Sequence, residues 1–134
     1  MKDAKWSILN FTQFNDDRGS LIPIELDEKF PFTVKRTYFV RANNPQIIRG
    51  AHSHFIEEEV LIAVSGKILA RVHDGETETE IWLDSPTKAL YVKQHCWHEF
   101  AQFSDDAVLF ALSSTHYMPG EVNYETDKEK FLEK

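Results

Sequence analysis

Two histidines separated by a single residue, in Arg49-Gly50-Ala51-His52-Ser53-His54, are the chain's clearest chemical feature. On an extended strand alternate side chains share a face, so His52 and His54 would reach one small ligand together. An imidazole titrates near neutrality and serves as acid, base or metal ligand. Counting onward gives H-x-H-x4-E-x6-G, from His52 and His54 through Glu59 to Gly66, with His98 a further imidazole downstream. One chemistry that fits is a metal site, with His52, His54, Glu59 and His98 around Fe, Mn, Ni or Zn. Another is metal-free acid–base catalysis, in which one imidazole accepts a proton and returns it. Spacing does not separate the two. A purely structural role for the pair is the third reading, and a same-face pair just before an apolar strand speaks against it.

The elements that must position these residues read as short strands. Period-2 or continuous apolar runs cover Ile8–Phe14, Ser20–Leu26, Thr33–Val40, Glu59–Ser65, Lys67–Asp74, Glu78–Leu83, Ala89–Val92, Trp97–Phe103 and Ala107–Ser113. Asp74-Gly75 tolerates positive φ and predicts a hairpin to Glu78–Leu83. Asp16-Asp17-Arg18-Gly19, Asn43-Asn44-Pro45 and Asp84-Ser85-Pro86 punctuate other junctions. Only the Glu- and Lys-rich tail, Tyr124–Leu132, predicts a short helix. Many strands without alternating helices predict an all-β fold, an antiparallel double-sheet jelly roll closed by that C-terminal helix.

Composition bounds the function. The 134 residues suit one domain, spanning 1–134. Ten Phe and three Trp exclude intrinsic disorder. Fifteen basic against twenty-two acidic residues give a net charge of −7, which argues against nucleic acid as a partner. The longest apolar runs, Val60–Val64 and Ala107–Leu112, fall far short of the ~20 residues of a membrane span. Met1-Lys2-Asp3-Ala4-Lys5 has no apolar stretch of signal-peptide length after it. A lone cysteine, Cys96, forms no internal bridge; with the missing signal it predicts a cytoplasmic protein. Cys96 beside Trp97 reads as a buried small hydrophobe. Glu57-Glu58-Glu59 reads as a solvated face with Glu59 turned inward, and His73, His95 and His116 read as surface.

A family resemblance goes further. The H-x-H-x4-E-x6-G run matches the first cupin signature over its His-to-Gly portion, and His98 sits where a second signature would supply a histidine. Arg18-Gly19-Ser20-Leu21, Pro31-Phe32-Thr33-Val34-Lys35-Arg36-Thr37-Tyr38, Arg49–His54, Leu83-Asp84-Ser85-Pro86, Leu90-Tyr91-Val92 and Trp97-His98-Glu99 resemble, in order, the sugar 3,4-ketoisomerases of the FdtA-like or WxcM-like family. The resemblance runs from about Phe11 to Tyr117. It implies a dimeric cupin jelly roll that works without a metal or other cofactor on dTDP-4-keto-6-deoxyglucose. The product would enter deoxy-aminosugars of cell-surface glycans such as lipopolysaccharide.

Carried over residue by residue, the family's histidine pair falls on His52 and His54, its tyrosine on Tyr38, and the arginine before its histidines on Arg49. The expected catalytic set is therefore His52 as the carbon base, His54 moving the hydroxyl proton, and Tyr38 and Arg49 bonding the enediolate oxygens. Arg18, Lys35 and Arg36 are the cations expected at the diphosphate, with Gly19, Glu59 and His98 also expected to bind the substrate. The family commonly has Gln at the position of Glu59, and Gly-Pro or similar at Gln94-His95. A carboxylate at position 59 keeps the metal ligand set complete, although it could instead bond an imidazole and raise its basicity. A metal-dependent cupin, a 3,5-epimerase of the same sugar and a non-catalytic sugar-binding cupin are the competing readings. The apolar stretch Trp6–Phe14 is the segment expected to cross to a dimer partner.

Overall fold

The computed structural model describes residues 3–133; Met1 and Lys2, the start of the stretch expected to lack a signal peptide, lie outside them. Twelve strands are formed by the described residues: β1 (Trp6–Asn10), β2 (Phe14–Asp16), β3 (Gly19–Leu21), β4 (Arg36–Val40), β5 (Arg49–His54), β6 (Glu59–Ser65), β7 (Ile68–His73), β8 (Glu78–Leu83), β9 (Lys88–Val92), β10 (Trp97–Ala101), β11 (Val108–Ser113) and β12 (Tyr124–Glu125). A 3₁₀ turn at Gly120–Val122 and the helix α1 (Lys128–Leu132) complete the chain. Ten strands make two five-stranded sheets, in the orders β1-β9-β6-β11-β4 and β12-β5-β10-β7-β8, and every pairing is antiparallel. This is the expected jelly roll.

Period-2 alternation decides what faces the interior. On β6, Leu61 and Ala63 join the central core with Ile68, Ala70, Val72, Leu90, Val92, Leu109 and Ala111. Val60 and Ile62, between them, face the other way and form a second apolar layer with Ala89, Tyr91 and Leu112. That outer layer is covered by Ile24, Phe30, Phe32 and Val34. The expected strand Ser20–Leu26 is therefore shorter than the apolar pattern suggested. Only Gly19–Leu21 pairs, and the chain beyond runs as irregular cover, because Pro23 and Pro31 lack the N–H a ladder needs.

The tail also departs from expectation. Tyr124–Glu125 pairs with His54 and Ser53 of β5, and only Lys128–Leu132 is helical. Asp127 caps that helix, accepting from Glu129 N (3.0 Å) and Lys130 N (3.4 Å), and so fixes where it begins. Trp6–Asn10, within the stretch expected to cross to a partner, pairs with β9 in the single chain. The β2–β3 hairpin forms a separate two-stranded sheet. No helix among the described residues is long and apolar enough to cross a membrane.

Candidate active site

On β4, β5, β6 and β10 the inward face carries polar residues at one end of the space between the sheets. Glu59 opens β6 on the same face as Leu61 and Ala63; Arg36 and Tyr38 lead into Val40 on β4; His98 precedes Phe100 on β10. His52 and His54 stand on β5 as the spacing predicts. A bulge aims them: His98 pairs with His52 but Glu99 pairs with Gly50, leaving Ala51 out of register. Gly50 (φ 77°) and Ala51 (φ 59°) both take left-handed backbone there. A side chain at Gly50 would meet the His98 carbonyl at 3.3 Å. The outcome is a cavity of about 290 Å³ lined by these residues together with Arg49, Leu109, Tyr117 and Tyr124.

Inside it the three imidazoles pack as one cluster. Ring centroids lie 4.7 Å apart for His52–His54, 4.9 Å for His52–His98 and 5.0 Å for His54–His98. Tyr124, opposite His54 in the β5–β12 pairing, packs its ring edge against His52 and His54. His98 Nδ1 donates to the Cys96 carbonyl at 3.0 Å, since a carbonyl can only accept; the lone pair is therefore on Nε2. His98 Nε2 and His54 Nδ1 are buried without hydrogen-bond partners. They lie 3.8 and 3.6 Å from Glu59 Oε1. The Tyr38 hydroxyl donates to the other oxygen, Glu59 Oε2.

Burial governs the protonation of the cluster. It lowers the His52 pKa from 6.5 to about 4 and that of His98 to about 3, and holds His54 lower still, with His98, His52 and Arg36 adding to the effect. Burial, with Glu57 nearby, raises Glu59 from 4.5 to about 8. Tyr38 is pushed far above its ordinary value by burial and by Glu59, so it remains a hydroxyl. The expectation that Glu59 would bond an imidazole and raise its basicity is thus corrected. Its hydrogen bond comes from Tyr38, and desolvation takes the imidazoles the other way.

His52, His54, Glu59 and His98 each offer one ligand atom, and these atoms lie within 4.8 Å of one another. With two of the nitrogens unpartnered, this set fits a divalent ion, which would act as a Lewis acid on a substrate oxygen.

Other expected residues fall elsewhere. Arg49 lines the cavity but its side chain reaches the exposed rim, with Nη1 on the Arg41 carbonyl at 3.0 Å. Lys35 is exposed, one step out of phase with Arg36. Arg18 is 87% exposed and held by Asp16 at 2.6 Å in the turn of the β2–β3 hairpin, and Gly19 opens β3 opposite Asp16; neither reaches this cavity within the chain. Sequence reasoning missed Tyr124, hidden in a segment read as helix, and Glu57, read as solvated. Glu57 is buried, and its alternation with Glu59 was the available signal. Glu58 is the outward member, accepting from the Tyr91 hydroxyl. His73 is half-buried, edge-on to Phe131, while His95 and His116 are exposed as expected. Cys96 is buried and its thiol is pushed up to about 12, so it is the inert hydrophobe expected.

A family model described as "FdtA: WxcM-like, C-terminal" matches residues 4–134. The chain belongs to this family. A TDP-4-oxo-6-deoxy-alpha-D-glucose-3,4-oxoisomerase from Aneurinibacillus thermoaerophilus is 39% identical over 110 residues, covering 82% of this chain and 79% of that relative. A crystal structure of a 3,4-ketoisomerase from Helicobacter canadensis superposes with TM-score 0.88 at 37% identity, covering 98% of this chain and 97% of that one. A histidine variant of a 3,4-ketoisomerase from Thermoanaerobacterium thermosaccharolyticum, in complex with TDP-4-keto-6-deoxyglucose, superposes with TM-score 0.89 at 29% identity over 98% of this chain and 94% of that one. A 4-keto-6-deoxy sugar epimerase from Streptomyces spheroides, 20% identical with TM-score 0.75, shares the FdtA-family fold.

The displaced pKa values set the pH dependence of stability. Below pH 6.5 the unfolded chain takes up protons that the native imidazoles refuse, so stability falls as pH falls from 6.5 towards 4. Between 4.5 and 8 native Glu59 holds a proton that the unfolded chain loses, so its contribution falls as pH rises. Three imidazoles outweigh one carboxyl below 6.5 and Glu59 dominates between 6.5 and 8, below the range in which the unfolded Cys96 thiol ionises, so stability should peak near pH 6.5. Urea midpoints measured from pH 5 to 8 should show both limbs, and Glu59→Gln should flatten the alkaline one while leaving the acid one. An alkaline limb unchanged in that variant would contradict the assignment.

Proposed function

We propose that the protein is a sugar-nucleotide 3,4-ketoisomerase that moves the keto group of dTDP-4-keto-6-deoxyglucose from C4 to C3. The observation that carries this reading is the buried cluster of neutral imidazoles opening on a sugar-sized cavity, in a chain of the FdtA family whose relatives carry that activity. The C4 ketone acidifies the C3 proton. His52 is the most accessible of the three imidazoles, and its neutral ring has a lone pair to accept that proton. The resulting enediolate takes a proton back at C4, and C3 becomes the ketone. His54 moves the hydroxyl proton from O3 to O4, so protons and electrons balance within the sugar.

Tyr38 serves as a donor to the enediolate. Its hydroxyl proton is held by Glu59 in the resting site, but Glu59 carries its own proton below about pH 8. The protonated carboxyl can then donate to the Tyr38 oxygen, freeing the phenol hydrogen for the substrate. Arg49, at the rim, suits the diphosphate, whose nucleotide extends outside a cavity of this size.

The mechanism uses imidazole lone pairs, which a metal would occupy. Full activity should therefore survive prolonged chelation; about one bound metal per chain with activity lost on its removal, read by elemental analysis, would overturn the metal-free reading. His52→Asn should lower kcat by a factor on the order of 10³ while TDP binding is kept. His54→Asn should lose turnover but retain exchange of the C3 proton with solvent deuterium. Exchange kept by His52→Asn and lost by His54→Asn would reverse the two roles.

We also propose a homodimer. The β2–β3 hairpin exposes Phe14 (57%) and Leu21 (65%), and Phe39 on the edge strand β4 is 70% exposed. Sedimentation equilibrium at micromolar concentration should give twice the chain mass; the mass of one chain would contradict this.

A further inference from the structure

We infer that Arg36, rather than Arg49, is the cation that stabilises the enediolate, and that Glu57 is the residue that positions it. The inference rests on the isomerase reading above and assigns to Arg36 a role different from the diphosphate contact expected from sequence.

Depth is the first argument. Arg36 shares the inward face of β4 with Tyr38, and its guanidinium lies 5.1 Å above the Tyr38 ring and 5.7 Å from that of Tyr117. Its Nη2 donates to Glu57 Oε2 at 2.9 Å, and the other Glu57 oxygen is 3.7 Å from His54 Nε2. The guanidinium therefore sits at the level of the imidazoles, where the reacting carbons must lie. Arg49 sits at the exposed rim.

Orientation is the second. Arg36 lines the cavity and Glu57 does not. Glu57 is 1% exposed and clamped from behind, accepting from Ser113 Oγ at 2.5 Å and Asn123 Nδ2 at 2.8 Å. Asn123 Oδ1 in turn accepts the backbone N–H groups of Ile56 and Glu57, both at 3.1 Å. The ion pair is thus a fixed dipole with its positive end in the cavity. Arg36 itself lines the cavity, and its Nε is buried with no partner. A preorganised donor of this kind acts where charge develops, at the enediolate oxygen.

The two roles separate kinetically. An enediolate exists only along the reaction path, so its donor controls kcat, whereas a diphosphate is charged throughout and its cation controls binding. The decisive variant is the double change Arg36→Gln with Glu57→Gln, which removes both charges and leaves neither buried alone. We expect kcat to fall by tenfold or more, on the order of 10²–10³, with the calorimetric Kd for TDP changed by less than about tenfold. A smaller loss of kcat, or TDP binding weakened about tenfold or more, overturns the assignment. Should the double variant fail to fold, Arg36→Lys decides by the same limits, since it keeps the charge and loses the fork. Glu57→Gln alone should lower kcat at unchanged KM; a fall in Tm with both kinetic constants intact would make Glu57 merely structural and overturn its part. A wild type that binds TDP without isomerising the ketosugar would instead count against the isomerase reading itself.

Discussion

Desolvation of a polar cluster between two apolar sheets is the constraint on which the site depends. Three imidazoles and the Glu59 carboxyl occupy inward strand positions of the kind that Leu, Val and Ala hold elsewhere in the sheets, and Glu57 is buried beside them. Burying that many titratable groups is costly unless they are neutral or paired. The molecule uses both solutions. Burial keeps the imidazoles unprotonated and leaves Glu59 protonated through neutral pH, while Glu57 is paired with Arg36 at 2.9 Å. The protonation states that make folding tolerable are those that proton transfer needs: neutral bases beside a proton-bearing acid.

The backbone supports this at three places. The bulge at Gly50 and Ala51 turns His52 and His54 into the cavity. Asn123 ties the β5–β6 connection to the C-terminal segment, and thereby sets Glu57 and Tyr124 together. The Cys96 carbonyl fixes the His98 tautomer so that its lone pair faces the cluster. None of these contacts touches a substrate; each decides where a reacting group points.

The sheet framework and the H-x-H face were legible in the sequence because period-2 alternation is a local signal, and so was Glu59 through its phase with Leu61 and Ala63. Glu57 was not, because an acidic run looks solvated until Arg36 and Ser113, distant in sequence, are brought against it. Tyr124 was hidden for a similar reason: the charge of the tail favours helix, and only pairing with β5 makes those two residues a strand. The depth of Arg36 against Arg49 is a tertiary property that motif order does not encode. Nor does any pattern separate Gly19–Leu21, which pairs, from the residues after it, which cover the outer face.

The central claim is that this cavity performs a proton-transfer isomerisation on a nucleotide-linked ketosugar. NMR of dTDP-4-keto-6-deoxyglucose incubated with the wild-type protein in deuterium oxide tests it most directly. The account predicts conversion to the 3-keto isomer with the C3 proton gone and solvent-derived deuterium at C4 in at least part of the product. Saturable binding with the 4-keto sugar and its C3 proton left intact would contradict it.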